Sequence, residues 1–259
     1  MIAEKSFKRE IQTDDVFMSG QQKEALARLD YVVRNRSMAL LTGEPGAGKS
    51  TMIRTFVKSL DTAKYCTCYI NNSALTPKIL YSDVLQSLSV TPYSYLPKVK
   101  KQFAEVVTDI FKNHNKQLVI FIDNAQSLPI QTIHEIRYVF NFEYDSMSPM
   151  ALILVGQPEL LATLRLRTFE PVFYRFSSHY QLRGLNQKQT VEYILHQLKL
   201  SNLSMLFPDD VVAKLWSRAR GLPQIINTIC IHCLIDMEAN SSNLVDNTAL
   251  ERVLADLQY

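Results

Sequence analysis

Eight consecutive residues, Gly43-Glu44-Pro45-Gly46-Ala47-Gly48-Lys49-Ser50, place three glycines just before a lysine and a hydroxyl. Every position satisfies G-x-x-x-x-G-K-[ST], a spacing with a physical meaning. Glycines let successive backbone N–H groups turn inward on phosphate oxygens. An apolar stretch over residues 37–41 reads as a strand before the loop, and residues 49–60 read as a helix after it. The helix N-terminus adds partial positive charge at the anion. In this arrangement Lys49 reaches the β- and γ-phosphates, Ser50 serves Mg²⁺, and Gly43 to Thr51 form the cradle. The ligand this implies is ATP with Mg²⁺.

A second cluster supplies the carboxylate. Residues 118–122 are wholly apolar, as a strand buried on both faces should be, and the run ends in Asp123. A carboxylate there can hold the water shell of Mg²⁺. Asn124 follows; an amide can orient a water but cannot accept its proton. Gln126 reads chiefly as an exposed helix-start residue that could assist. At the end of the next apolar strand, residues 151–155, Gly156-Gln157-Pro158 puts a polar side chain where it can meet the γ-phosphate.

The elements that must position these groups alternate. Helical periods at 22–35, 76–88, 101–113 and 131–142 separate β-type runs at 37–41, 65–70, 118–123 and 151–155. Helices at 158–166 and 168–176 precede a short strand at 178–182. This is the α/β pattern of a parallel sheet flanked by helices. After Gly184 four helical segments follow (187–200, 209–220, 223–239 and 248–257) with no strand between them. The expected organisation is an N-terminal arm at 1–18, a nucleotide-binding core at 19–184 and an all-helical lid at 185–259.

Composition narrows the class. The chain has 259 residues, 47% hydrophobic and 20% charged, with a net charge of +3. That excludes collagen-like and mostly disordered chains. No apolar run approaches the ~18 residues that cross a bilayer, and the charged N-terminus lacks the apolar core of a signal peptide. The expectation is a cytoplasmic protein with no membrane partner. Residues 186–259 carry six Lys/Arg against eight Asp/Glu, so the rest of the chain holds the positive excess. That asymmetry permits a polyanion partner. Cys66, Cys68, Cys230 and Cys233 read as buried free thiols rather than zinc ligands, since the pairs fall in a strand and a helix instead of tight turns.

The ordered set of motifs resembles the AAA+ ATPases of the ExeA-like group, and with them the transposition ATPases of TnsC, TniB and MuB type. The residues that carry it are Ala25-Leu26-Ala27-Arg28-Leu29, the loop from Gly43 to Thr51, Leu75-Thr76-Pro77, residues 119–126, Gly156-Gln157-Pro158-Glu159-Leu160 with the strand before it, and residues 218–227. The resemblance implies a P-loop AAA+ module with a helical lid. It also implies a ring or filament of identical subunits and an arginine finger, matched by Arg175 with Arg165 and Arg167 as runners-up. Two positions depart from the family. Asn124 stands where a glutamate is common after the strand aspartate. Gln224 follows Gly221-Leu222-Pro223 where a lid arginine is common, with Arg220 a weak substitute. Both departures imply slow hydrolysis, with Lys49, Asp123, Asn124, Gln157 and Arg175 as the catalytic set and Gln224 at the nucleotide.

ExeA-type secretion proteins continue into a membrane span and a wall-binding region, whereas this chain ends at Tyr259 without either. The expectation therefore favours the transposition type, which binds duplex DNA when ATP-loaded and directs a transposase. Two loops match DNA-contacting positions: Asn71, Asn72, Ser73, Thr76 and Lys78 in the first, and Tyr93, Tyr95, Lys98, Lys100 and Lys101 in the second. Repeated around an oligomer, such lysines make many sequence-independent phosphate contacts. The competing expectations are a secretion or envelope-assembly ATPase acting on protein, and a nucleotide-controlled signalling or defence switch. A nucleotide kinase is disfavoured, because the helical lid shows no acceptor site.

Overall fold

The computed structural model describes residues 6–7, 11–72, 74–142 and 147–258. Five strands form one sheet in the order β2-β3-β4-β1-β5: β1 (Met38–Gly43), β2 (Tyr65–Ile70), β3 (Gln117–Ile122), β4 (Met150–Gly156) and β5 (Phe176–Leu182). The β2–β3, β3–β4 and β1–β4 pairings are parallel, with Tyr69 opposite Phe121, Phe121 opposite Ile153 and Leu41 opposite Val155. β1 and β4 are buried at every position, and β3 at all but its first. Their unbroken apolar runs are what a strand covered on both faces requires. β2 lies at the sheet edge and alternates in exposure.

Helix α1 (Gly20–Arg34) precedes β1, and α2 (Lys49–Ser59), α3 (Pro77–Ser87), α4 (Leu96–Lys112), α5 (Ile130–Val139), α6 (Pro158–Leu164) and the single turn α7 (Glu170–Phe173) connect the strands. α3 starts as its sequence dictates: the Thr76 hydroxyl accepts from Ile79 N–H, and Pro77 occupies the first turn, where its missing donor costs nothing. Several boundaries shift from expectation. β1 runs on to Gly43, because Thr42 continues the ladder opposite Gly156. A long helix over 168–176 is replaced by a 3₁₀ turn at Arg167–Phe169, the short α7, and a β5 that begins at Phe176. Phe169, Val172 and Phe176 are all buried in one core, a spacing that the broken backbone satisfies.

Contacts divide the chain into two compact units. One comprises Glu24–Gly43 and Phe56–Gln181 and holds nearly all of the sheet. Its core joins β3 and β4 residues such as Ile120 and Leu152 to Val84, Phe103 and Ile136 from the covering helices. The other comprises Met1–Lys23, Glu44–Thr55 and Leu182–Tyr259. It contains α8 (Gln187–Lys199), α9 (Asp209–Ala219), α10 (Pro223–Ala239) and α11 (Asn247–Asp256). α8 opens with a reciprocal capping box between Asn186 and Gln189. Its core includes Ile194, Leu215, Ile229 and Leu250, and Phe7 from the N-terminal arm is buried in it. All four cysteines are free: Cys68, Cys230 and Cys233 are buried, and Cys66 is half-buried. Among the described residues no helix is long and apolar enough to cross a membrane.

Candidate nucleotide-binding site

The phosphate loop belongs to the same compact unit as the C-terminal helices. Gly46 and Gly48 take φ of +79° and +94°, which only glycine adopts without strain, and these torsions curl the loop. Ala47 N–H closes the turn on the Glu44 carbonyl at 3.1 Å, and Met52 N–H bonds Gly48 C=O at 3.0 Å as α2 begins. The Lys49 ammonium donates to the Glu44 carbonyl at 3.0 Å, folded over its own loop. Ser50 is exposed, and Thr51 is half-buried.

A cavity of about 650 Å³ opens on this loop, well within the range of small-molecule sites. Gly46, Gly48, Lys49, Ser50 and Thr51 line one wall. The arm supplies Ile11, Val16 and Phe17, and the C-terminal helices supply Tyr193, Gln197, Gln224, Asn227 and Thr228. The loop side is therefore charged and donor-rich, and the rest of the lining mixes apolar side chains with amide and hydroxyl groups. That division suits a ligand with a phosphate tail and a flat heteroaromatic head.

The arm is tied down at several points. The Arg54 guanidinium donates to Ile11 C=O at 3.0 Å, the His196 ring bonds Asp15 C=O at 2.7 Å, and Phe17 meets Tyr193 edge-on at 5.6 Å. The Tyr193 hydroxyl donates to Asn227 Oδ1 at 2.8 Å, and burial pushes this phenol above its ordinary range. Gln224 reaches the loop through its backbone, donating to Gly46 C=O at 3.3 Å, and its side chain lies directly over Gly46. A methyl group at Gly46 would sit 2.8 Å from Gln224 Cβ. Arg220 is an exposed left-handed helix cap and does not line the cavity.

The sheet unit carries the second cluster. Asp123 is 6% exposed, and both of its carboxylate oxygens are held. Asn124 N–H donates to Oδ1 at 2.8 Å, and the Tyr69 hydroxyl donates to Oδ2 at 2.5 Å. Burial raises the Tyr69 phenol above its usual value, and the hydrogen bond and charge of Asp123 raise it further. Asn124 sits in the left-handed region at φ 52°, a conformation asparagine tolerates better than most residues. Its amide is spoken for: Nδ2 donates to Asn71 Oδ1 at 2.9 Å, and Oδ1 accepts from Gln126 Nε2 at 3.4 Å. Gln126 Oε1 in turn accepts Gln157 N–H at 3.1 Å. A chain of amides thus runs from Asn71 through Asn124 and Gln126 to Gln157. Read from sequence as an exposed helix-start residue, Gln126 is instead half-buried at the centre of this chain. Asn71, named only for a loop contact, anchors one end of it.

Arg175 lies half-exposed in the turn before β5, and Arg165 and Arg167 are exposed. The two loops read as polyanion contacts divide. Lys78 and Lys98 are exposed, as are Tyr93 and Tyr95 at 56% and 65%. Thr76 caps α3, and Asn72 Oδ1 accepts Ala74 N–H at 3.0 Å. Ser73 lies outside the described residues. Lys101 makes an exposed pair with Glu105 at 3.8 Å. Lys100 is engaged elsewhere: its ammonium is 2.8 Å and 2.9 Å from the two oxygens of Glu135, which also accepts the buried Tyr81 hydroxyl at 2.5 Å.

Comparison with known proteins decides the family. The AAA domain model matches residues 33–164, just over half of the chain. The chain belongs to the AAA domain family. Its AAA fold is shared with Cdc6p from Pyrobaculum aerophilum (TM-score 0.70, 15% identity, covering 96% of this chain and 70% of that one). It is shared too with the Drosophila ORC bound to DNA (TM-score 0.74, 13% identity, 100% of this chain and 65% of that one). General secretion pathway protein A from Aeromonas hydrophila is 28% identical over 239 residues, covering 89% of this chain. The AAA domain chain spans about two fifths of that relative, at 42% of its length.

Proposed function

We propose that this protein is a slow ATPase whose ATP-loaded form assembles on duplex DNA without reading its sequence and directs a transposase. The nucleotide half of the reading rests on the curled glycine loop and the 650 Å³ cavity that shares its wall. The loop amides, Lys49 and Thr51 bind the phosphates, and Gln224 closes over Gly46. Ser50 and Asp123 are the Mg²⁺ ligands we propose; a hydroxyl and a carboxylate are the hard oxygen donors this ion takes, usually through water. Mg²⁺, when bound, neutralises charge on the β- and γ-phosphates. Gln157 and an Arg175 from a neighbouring subunit address the γ-phosphate.

Slow turnover follows from Asn124. An amide cannot take a proton from the attacking water, and both ends of this one are already hydrogen-bonded within the protein. A long-lived ATP state suits a protein that signals by assembly.

The DNA half rests on one observation: Lys78 and Lys98 project from the N-terminal turns of α3 and α4. The second turns of these helices meet at Glu135, through Tyr81 and Lys100. Two helix N-termini with exposed lysines favour phosphate, and Tyr93 and Tyr95 are exposed just before α4. The match to General secretion pathway protein A supports a second reading, an ATPase of secretion or envelope assembly acting on protein.

The test is duplex binding with ATP, ADP and a non-hydrolysable analogue at two salt concentrations, with electron microscopy of the same samples. ATP-dependent, salt-sensitive binding with filaments or rings, weakened by Lys78→Glu and Lys98→Glu, supports the DNA reading. ATP-driven assembly without DNA binding overturns it in favour of a protein substrate.

A further inference from the structure

We infer that Tyr69 is a positioning residue for Mg²⁺: its hydroxyl aims the Asp123 carboxylate at the ion's water shell. The inference rests on the proposed ATPase reading, in which Asp123 serves Mg²⁺. Register puts the two side chains together. Tyr69 pairs with Phe121 across the β2–β3 ladder, and Asp123 lies two residues beyond Phe121. Side chains two apart share a sheet face, so Tyr69 rises beside the end of β3. Asp123 N–H bonds Ile70 C=O at 2.8 Å, which holds the last step of the ladder closed.

A carboxylate at a strand end is free to rotate about its last torsion unless something fixes it. Here both oxygens are fixed. The Asn124 N–H sets Oδ1, and the phenol sets Oδ2 through a short hydrogen bond to a charged acceptor, which is stronger than a neutral one. Each oxygen keeps a second acceptor direction, and those two directions are what remains for metal-bound water. The backbone donor would survive any substitution at Tyr69. The phenol is the part the side chain controls. Removing such an outer partner of a metal-binding carboxylate typically costs about 10- to 100-fold in metal affinity.

Tyr69→Phe removes the hydroxyl alone, from a side chain that is half exposed. The measurement is binding of a fluorescent ATP analogue to the full chain, in EDTA and across a Mg²⁺ titration. The expected result is unchanged affinity in EDTA and a midpoint in Mg²⁺ raised about tenfold. In a chain already carrying Asp123→Ala, Tyr69→Phe should add nothing, because the hydroxyl acts through that carboxylate. An unchanged Mg²⁺ midpoint in Tyr69→Phe overturns the inference, as does an equal loss in EDTA or an additive loss on Asp123→Ala. If the wild-type chain binds no nucleotide, or gains nothing from Mg²⁺, the ATPase reading itself falls and takes the inference with it.

Discussion

Replacing Lys100 by methionine separates a lysine that holds the fold from Lys98, for which we propose a DNA contact. The ammonium lies 2.8 Å from Glu135 Oε1, and the Glu135 side chain is 11% exposed. At an effective dielectric of about 20, a pair at that distance attracts by about 6 kcal/mol gross. Desolvation of both ions offsets much of this. Removing one partner of a fully buried pair costs roughly 3–5 kcal/mol, because the other charge is stranded. The Lys100 side chain is 38% exposed, so solvent screens it and we expect a loss of about 2 kcal/mol. With a urea slope of about 3 kcal/mol/M, the midpoint should fall by about 0.7 M. Far-UV circular dichroism against urea measures it. Glu135→Gln introduced together with Lys100→Met keeps an acceptor for the Tyr81 hydroxyl and removes the stranded charge, so the double variant should recover at least half of the loss. DNA affinity per folded molecule should be the same in Lys100→Met and wild type, while Lys98→Glu lowers it. A Lys100→Met midpoint within ~0.1 M of wild type, or a double variant no better than the single, would mean that the Lys100–Glu135 pair does not hold the fold.

Gly46→Ala should weaken ATP binding by tenfold or more in a fluorescence titration. It forces a Cβ against Gln224 Cβ at 2.8 Å and leaves alanine at φ +79°, and the backbone term alone is about 1–2 kcal/mol. Adding Gln224→Gly should recover part of the loss, the remainder being the torsion. Gln126→Leu keeps the bulk of the side chain but cuts the amide chain on both sides of it. Steady-state turnover should fall by about 10- to 100-fold while nucleotide affinity holds. On the alkaline side, Tyr81 has its folded pKa raised above 10.0, by burial first and then by the hydrogen bond and charge of Glu135. A raised folded pKa means its contribution is complete below pH 10 and is lost as pH climbs above it. Unfolding followed from pH 9 to 11 should show a shallower decline in Tyr81→Phe than in wild type.

Much of this molecule follows from contiguous residues. The phosphate loop is eight residues between a strand and a helix, and its glycine torsions and helix start are local matters. The central strands are legible because burial on both faces demands an unbroken apolar run, and β3 and β4 comply. Thr76-Pro77 and Asn186 through Gln189 announce helix starts by their own hydrogen bonds. Other features depend on which distant segments meet. Lys100 looks like a solvated helix lysine because its acid partner is 35 residues away on α5. The hydroxyl of Tyr69 finds Asp123, 54 residues on, only through the β2–β3 register. Asn124 is visible in the sequence as an unusual residue after Asp123, but its link to Asn71, 53 residues earlier, comes from the order of strands. Phe7 is a core residue of the helical unit, though nothing near it in the chain shows a periodic pattern. Local sequence determines elements and the loop that cradles phosphate, because backbone torsions and nearest-neighbour hydrogen bonds decide them. Tertiary structure alone decides which carboxylates are held, which lysines are spent, and which amides join, because those pairings are set by strand order and register.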